Sequence, residues 1–146
     1  MRLYARGNIF TTGMKKTSSY LFVYGTLLDK QNEFGAYLNA NCVFYADGKF
    51  KGKLYDIGEY PGAVVAADGN NCVHGKIYHV NNASRVFKKL DYYEGFGPDE
   101  AQPNLFVREL VLVDTVSEIQ ECWVYLYNLP VDTFEQIESG FYRGNR

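Results

Sequence analysis

Short runs of aromatic and β-branched residues, separated by glycine and proline, recur along most of the chain and constrain its fold more than any other feature. Tyr occurs 13 times and Phe 10 times, and aromatic residues make up 16% of the 146 residues. These side chains favour the pleated, half-buried surface of a β-sheet. About six or seven such runs accompany one clear helical pattern, which predicts an α+β domain.

The runs also predict how the sheet is built. Two strands are predicted within residues 42–57, and single strands at 19–24, 63–67, 72–80, 106–114 and 121–127. Asp47-Gly48 lies between the two halves of 42–57, and Asp-Gly between aromatic-rich runs predicts a hairpin turn. Segments 29–39 and 131–139 are predicted to hold a short helix and a helical turn. So many strands in a short chain favour a small mixed β-barrel with one or two flanking helices, because closure removes exposed sheet edges.

The charge balance and the cysteine count limit the classes of function. Fifteen basic and 17 acidic residues give a net charge of −2, which removes the basic surface expected of a nucleic-acid-binding protein. No run of about 18 apolar residues is present, so no membrane-spanning helix is predicted. The three cysteines are an odd number without a CxxC pair, so we expect buried, reduced thiols rather than disulfides or a zinc knuckle. Reduced thiols predict a reducing compartment, the cytoplasm.

The first residues of the chain differ from the rest. Polar residues interrupt any apolar segment near the N-terminus, so a signal peptide is not predicted. Met14 is followed by Lys15 and Lys16 and then by the first predicted strand. We therefore expect residues 1–18 to be an N-terminal extension and residues 19–146 to form the domain.

Residues 82–95 carry the clearest helical pattern. Asn82 is a favourable N-cap residue, and Gly95 is placed to end the helix. On a helical wheel the basic residues face away from an apolar stripe formed by Val86, Phe87 and Leu90. The segment is therefore predicted to be an amphipathic helix that packs its apolar stripe on the sheet.

Glu94 is the exception to this pattern. It lies in the middle of the apolar stripe, roughly 20° from Ala83 at 100° per residue, and Asp91 lies at the edge. Burial and the negative end of the helix dipole both disfavour a carboxylate there, so both raise its pKa toward the range of a general acid or base. The alternative is that the helix frays before Glu94 and its side chain turns into water.

A second candidate is the corner Tyr24-Gly25-Thr26-Leu27, where the first strand ends. Glycine permits a sharp turn, and successive backbone N–H groups that leave a strand can form an anion-binding nest. The alternative is a simple turn, since glycine turns commonly follow strands.

Other catalytic or metal-binding patterns are missing from the sequence. It contains no GxSxG, Walker, GxGxxG or HExxH motif. His74 and His79 lie in one predicted strand, and no third ligand follows at zinc spacing. We interpret both histidines as sheet-face residues and predict no metal site.

Taken in order, these elements resemble the γ-glutamylcyclotransferase-like family. The resemblance is carried by a first strand ending in LFVYGTL, a YPG turn at 60–62, a strand with a central glycine (VHGKIYHV), a helix ending in LDYYEG and an aromatic-x-Arg strand. It runs from about Tyr20 to Tyr127. The chain departs from the family in the long loop after Gly95 and at Phe106, where many relatives have Tyr, and both departures concern the leaving-group pocket.

The resemblance implies a small mixed β-barrel enzyme that cyclises the glutamyl part of a γ-glutamyl compound to 5-oxoproline and releases an amine or amino acid. It implies that Glu94 is the acid/base and that Tyr24, Gly25, Thr26 and Leu27 bind the γ-glutamyl end. The substrate is a small molecule whose own α-amine is the nucleophile, so neither a cofactor nor a metal is expected. Two alternatives are a non-catalytic module that binds a small molecule in the same pocket and a structural β-domain in which Glu94 is exposed.

Overall fold

The structure, a computed structural model, describes residues 18–29 and 31–143 of the chain. The strands of this part, in chain order, are β1 (Tyr20–Val23), β2 (Cys42–Asp56), β3 (Pro61–Val65), β4 (Cys72–Val80), β5 (Phe106–Asp114), β6 (Ile119–Tyr127) and β7 (Glu135–Gln136). Its helical elements are a 3-10 turn (Thr26–Leu28), α1 (Glu33–Asn41) and α2 (Ala83–Glu94).

Five of these strands close into a barrel. Their order is β2-β4-β1-β6-β5, and Lys49 of β2 pairs with Asp114 of β5 to complete the ring. β1 and β6 run parallel, whereas the other pairs of the ring are antiparallel. β3 and β7 both pair with the C-terminal part of β2. The predicted α+β fold, a small mixed β-barrel with two flanking helices, is confirmed.

Alternating side chains of β1 belong to two separate buried clusters. Leu21 and Val23 join the cluster that contains the apolar stripe of α2, whereas Phe22 joins a second cluster with Phe50 and Ile77. Successive side chains of a strand point to opposite faces, so this division follows directly from the pleat. The barrel wall therefore separates an interior core from a core beneath the helices.

The hairpin predicted at Asp47-Gly48 is wrong, because β2 runs unbroken from Cys42 to Asp56. Gly48 pairs with Gly75 of β4 in the middle of the ladder. A Cβ atom on Gly48 would lie 2.6 Å from Cγ1 of Val113. The glycine therefore permits the close approach of β5 to β2 that closes the barrel, and not a chain reversal.

The helical turn predicted within 131–139 is also wrong. Glu135 and Gln136 form the short strand β7 on β2, and the amide of Ile137 donates to the Leu54 carbonyl at 2.7 Å. Ile137 packs against the interior core. Pairing with a distant strand therefore overrides the weak local preference of this segment.

The two helices are positioned close to their predicted places. Helix α2 spans Ala83–Glu94, as predicted, and Gly95 ends it with a left-handed φ of 74°. Asn82 occupies the N-cap position, but its side chain makes no capping hydrogen bond. Helix α1 (Glu33–Asn41) overlaps the predicted segment 29–39 and extends two residues beyond it. It begins after Asn32, whose side chain accepts hydrogen bonds from two amides of the first turn.

Three further predictions concern the chain as a whole. Of the expected extension, residues 1–17 lie outside the described residues, while the Ser18 carbonyl accepts a 3.0 Å hydrogen bond from the Trp123 indole. All three cysteines are free: Cys42 and Cys122 are buried and Cys72 is half-buried. Neither helix in the described part of the chain has the length and apolar character needed to cross a bilayer.

Candidate active site

A cavity of about 360 Å³ opens where β1 ends, beside the last turn of α2 and the beginnings of β3 and β5. All five residues selected from the sequence line it, namely Glu94, Tyr24, Gly25, Thr26 and Leu27. The other lining residues are mainly aromatic or apolar: Phe22, Val23, Tyr60, Pro61, Tyr93, Leu105, Phe106 and Tyr125, with Asn32 and Glu59. The cavity is large enough for a small ligand.

Glu94 reaches the cavity because α2 remains helical to its last residue. The amide of Gly95 donates to the Tyr92 carbonyl and that of Phe96 to the Asp91 carbonyl, at 3.2 and 2.9 Å. Glycine adopts the left-handed conformation of Gly95 without strain, so LDYYEG ends the helix directly after the acid. The structure thus has no fraying before Glu94.

Glu94 is half-buried as a whole residue, but its carboxyl group is buried and has no hydrogen-bond or ion-pair partner within residues 18–29 and 31–143. Burial, and secondarily the negative charge of Asp91, raise the pKa of Glu94 from 4.5 to about 8. A buried carboxyl without a partner favours its neutral form. The group therefore holds a proton in the pH range in which ordinary carboxyls have lost theirs.

This raised pKa makes the stability of the fold depend on pH. Between about pH 4.5 and 8 the folded chain holds a proton on Glu94 that the unfolded chain has released. The free energy of unfolding therefore falls as the pH rises through this window, by at most about 1.4 kcal/mol per pH unit from this group.

The variant Glu94→Gln has no titrating carboxyl at this position and so loses this pH dependence. We therefore expect its free energy of unfolding to rise relative to that of the wild type from pH 5 to 8. Urea unfolding of both proteins at several pH values measures the difference, and a pH-independent difference would contradict a raised pKa.

The turn after β1 is shaped by its contact with the YPG turn. A Cβ atom on Gly25 would lie 2.9 Å from Cγ of Pro61, so a side chain at this position would push the two turns apart. The amides of Gly25, Thr26 and Leu27 donate to no acceptor in the described part of the chain. These three donors border the cavity and are available to an anionic ligand.

Tyr24 contributes differently from the rest of its motif. Its hydroxyl donates to the Tyr125 carbonyl at 2.6 Å and accepts from the Ala63 amide at 3.1 Å. The ring is buried, and burial together with the nearby Glu94 raises the pKa of its hydroxyl. Tyr24 therefore ties β1 to β3 and β6 and forms a wall of the cavity.

Sequence reasoning missed a network behind Glu94. The Asp91 carboxylate accepts two hydrogen bonds from Arg108, at 2.7 and 3.1 Å, and one from the Tyr125 hydroxyl at 2.7 Å. The guanidinium lies 4.4 Å from the Phe87 ring centroid and 4.5 Å from that of Trp123. Both charged side chains are about four-fifths buried, with 17% and 20% of their surface exposed. The edge position of Asp91 on the wheel was the available signal, but its partners come from distant strands.

A hydroxyl pair links the turn to α2 on the other side of the cavity. Thr26 Oγ1 lies 3.1 Å from the Tyr93 hydroxyl, which also lies 3.4 Å from Nδ2 of Asn32. The Tyr93 ring stacks on Phe34 of α1, with centroids 4.1 Å apart. The cavity therefore has a second polar group, contributed by α1, α2 and the turn together.

The histidines lie away from this cavity. His74 stacks on Phe141 with ring centroids 4.0 Å apart, and His79 meets the Tyr20 ring at 5.2 Å. Both are half-buried residues of β4. Within the described residues, no group of three His, Cys, Asp or Glu side chains has an arrangement that could hold a metal ion.

Comparison with known proteins agrees with the fold and the motifs. The family model for gamma-glutamyl cyclotransferase, AIG2-like, matches residues 21–144. The gamma-glutamylcyclotransferase family protein YtfP of Escherichia coli (strain K12) is 35% identical over 122 residues, covering 82% of this chain and 92% of that protein. The solution NMR structure of ytfP from Escherichia coli has a TM-score of 0.62 at 31% identity, covering 85% of this chain and 96% of that one. An AIG2-like protein from Mus musculus shares the fold at 19% identity, with a TM-score of 0.62 over 88% of each chain. The chain therefore belongs to the AIG2-like gamma-glutamylcyclotransferase family.

Proposed function

We propose that the protein cleaves a γ-glutamyl amide by intramolecular cyclisation to 5-oxoproline, with release of an amine or amino acid. One observation carries the proposal: an unpartnered carboxyl with a raised pKa, that of Glu94, shares a ligand-sized cavity with three free backbone amides. The first group suits proton transfer, and the amides suit an anion.

The reaction requires little covalent chemistry from the protein. The α-amine nitrogen of the substrate attacks its own γ-carbonyl carbon, the bond to the leaving nitrogen breaks, and a five-membered lactam remains. Because nucleophile and electrophile belong to one molecule, the main task is to hold a folded conformation. Fixing such a conformation is worth up to about 7–11 kcal/mol in favourable cases.

Glu94 would move the proton that this reaction must transfer. The α-amine is protonated at neutral pH, with a pKa of about 8, and attacks only after losing a proton. A carboxyl with a pKa of about 8 exchanges that proton at little cost in free energy. In its ionised form, Glu94 takes one proton from the substrate ammonium and releases it to solvent. After the attack, Glu94 takes a second proton from the ring nitrogen and passes it to the departing nitrogen, which leaves as a neutral amine.

The amides of Gly25, Thr26 and Leu27 would hold the negative charge of the substrate. No lysine or arginine is found among the described residues that line the cavity. The α-carboxylate or the developing oxyanion therefore depends on backbone donors, each worth a few kcal/mol when well aimed. The aromatic walls exclude water, which would otherwise compete by hydrolysis.

A panel of γ-glutamyl donors, scored for release of 5-oxoproline, tests the proposal. The panel should contain donors that release a dipeptide, a free amino acid and the ε-amine of lysine. Lactam release from at least one donor at a steady rate is expected. Saturable binding without lactam would instead favour the non-catalytic binding module, and neither binding nor lactam would leave a structural role.

Glu59 is predicted to influence which donor is preferred. It is exposed and lines the cavity, so it places a carboxylate at the rim. We expect Glu59→Gln to lower kcat/KM about two- to fivefold for donors whose leaving amine carries a second ammonium group, since exposed pairs contribute at most about 1 kcal/mol. Donors whose leaving group ends in a carboxylate should not lose activity. Glu109→Gln, an exposed change on β5, is the matched control, and equal effects on both donor types would contradict the prediction.

A further inference from the structure

The hydroxyl pair of Thr26 and Tyr93 has a direction that its neighbours determine. At a separation of 3.1 Å either oxygen could donate to the other. The pair has two protons, and one hydrogen bond between them uses only one. The second proton has no acceptor within residues 18–29 and 31–143, and both residues line the cavity.

Asn32 sets this direction. Its Oδ1 accepts from the amides of Phe34 and Gly35, at 2.8 and 3.3 Å, and so caps helix α1. The other arm of the amide, Nδ2, therefore faces Tyr93, 3.4 Å from the hydroxyl. An amide nitrogen donates and does not accept, so the Tyr93 oxygen must be the acceptor in this contact.

A phenol that already accepts one hydrogen bond is a good donor and a poor second acceptor. Phenols are also more acidic than aliphatic hydroxyls, with a pKa of about 10. Hydrogen bonds in a chain polarise one another in one direction. The Tyr93 proton is therefore directed to Thr26 Oγ1, and the proton of the Thr26 hydroxyl remains for a ligand.

We propose that Asn32 and Tyr93 are positioning residues, which orient the Thr26 hydroxyl as a hydrogen-bond donor to the γ-glutamyl group of the substrate. This inference rests on the proposed function, because it assumes a γ-glutamyl ligand in the cavity. It assigns the side chain of Thr26, in addition to its amide, to ligand binding. It also gives a role to Tyr93 of LDYYEG. Tyr93 orients a binding group, whereas Glu94 transfers a proton.

Substitution of Asn32 by aspartate tests the direction itself. Aspartate is an equally good N-cap residue, so helix α1 keeps its cap. Its second oxygen, however, can only accept, so the Tyr93 proton turns toward it and Thr26 must donate to Tyr93. We expect Asn32→Asp to raise KM about five- to tenfold with kcat within about twofold, as for the loss of one hydrogen bond made equally in ground and transition states. Thr26→Val should have the same effect, and Thr26→Ser should stay close to wild type.

The added charge of Asn32→Asp needs its own control. A charge effect on substrate binding would persist when Thr26 is valine, whereas a directional effect would disappear. We therefore expect the double variant Asn32→Asp/Thr26→Val to match Thr26→Val alone. Tyr93→Phe, whose ring keeps its stack on Phe34, should raise KM about threefold, and exposed Tyr92→Phe should leave it unchanged.

The outcomes separate this inference from the proposed function. The positioning role would be overturned if the KM increases of Asn32→Asp and Thr26→Val multiplied in the double variant, or if Asn32→Asp left KM unchanged. Either result would leave the proposed cyclisation intact. If the wild type binds γ-glutamyl donors without releasing lactam, cyclisation fails, and dissociation constants from calorimetry replace KM in the same comparison. If no donor binds at all, both proposals are wrong.

Discussion

Replacing Glu94 with glutamine is expected to lower kcat by about 10²- to 10⁴-fold, the usual range for loss of a general acid or base. Glutamine has nearly the same shape and cannot exchange a proton at neutral pH. The carboxyl has no partner among the described residues, so the exchange breaks no hydrogen bond or ion pair. KM should change little, because we propose that the turn at 24–27, and not Glu94, holds the γ-glutamyl end.

Steady-state kinetics on a donor selected from the panel measures this effect. Far-UV circular dichroism and the melting temperature establish that the variant is folded. Glu109→Gln, which removes an exposed carboxyl from β5, controls for loss of a negative charge and should retain full activity. Turnover near the wild-type rate in Glu94→Gln would show that another group transfers the proton.

Replacing Arg108 with methionine should produce the largest change in stability. Methionine keeps an apolar stem between Phe87 and Trp123. Among the described residues, however, it leaves the Asp91 carboxylate with the Tyr125 hydroxyl as its one side-chain donor. Breaking a fully buried pair costs about 3–5 kcal/mol, and the partial exposure of this one reduces the expected loss to about 2–4 kcal/mol. Urea unfolding at pH 7 measures the loss.

The ion pair between Lys76 and Asp47 provides a matched control. Its N···O distance is 2.9 Å, but its side chains are 46% and 76% exposed. Lys76→Met should therefore change the free energy of unfolding by less than about 1 kcal/mol. Equal losses of unfolding free energy in the two variants would mean that burial adds nothing to the pair of Asp91 and Arg108.

Because Asp91 lies one helical turn before Glu94, Arg108→Met should also lower activity at temperatures at which the variant is still folded.

The parts of the fold that depend on local patterns were predictable from the sequence. Strand β5 has its predicted bounds, and α2 spans Ala83–Glu94 because the apolar stripe and Gly95 are both local signals. The inward placement of Glu94 follows from the same helical period. Its place in a cavity with the turn at 24–27 came from the family resemblance, since no local pattern relates the two segments.

What could not be predicted depends on contacts between distant residues. Gly48 carries a turn signal, but its function is to admit Val113 of a strand that follows much later in the chain. The bidentate contact of Asp91 with Arg108 joins a helix to a strand. The contacts of the Tyr93 hydroxyl with Asn32 and Thr26 join α2 to α1 and to the turn after β1. Such pairings form only in the assembled barrel. The secondary-structure propensity of a short segment therefore contains no information about them.

The position of β1 between β4 and β6 has a consequence for synthesis on the ribosome. β1 is the first barrel strand to be made, and its parallel neighbour β6 is the last. The Tyr24 hydroxyl donates a hydrogen bond to the Tyr125 carbonyl of β6, and these two residues are 101 residues apart along the chain. A nascent chain that stops before Ile119 therefore leaves one edge of β1 open and lacks the Tyr125 wall of the cavity. The cavity beside Glu94 is therefore completed only after β6 has been synthesised.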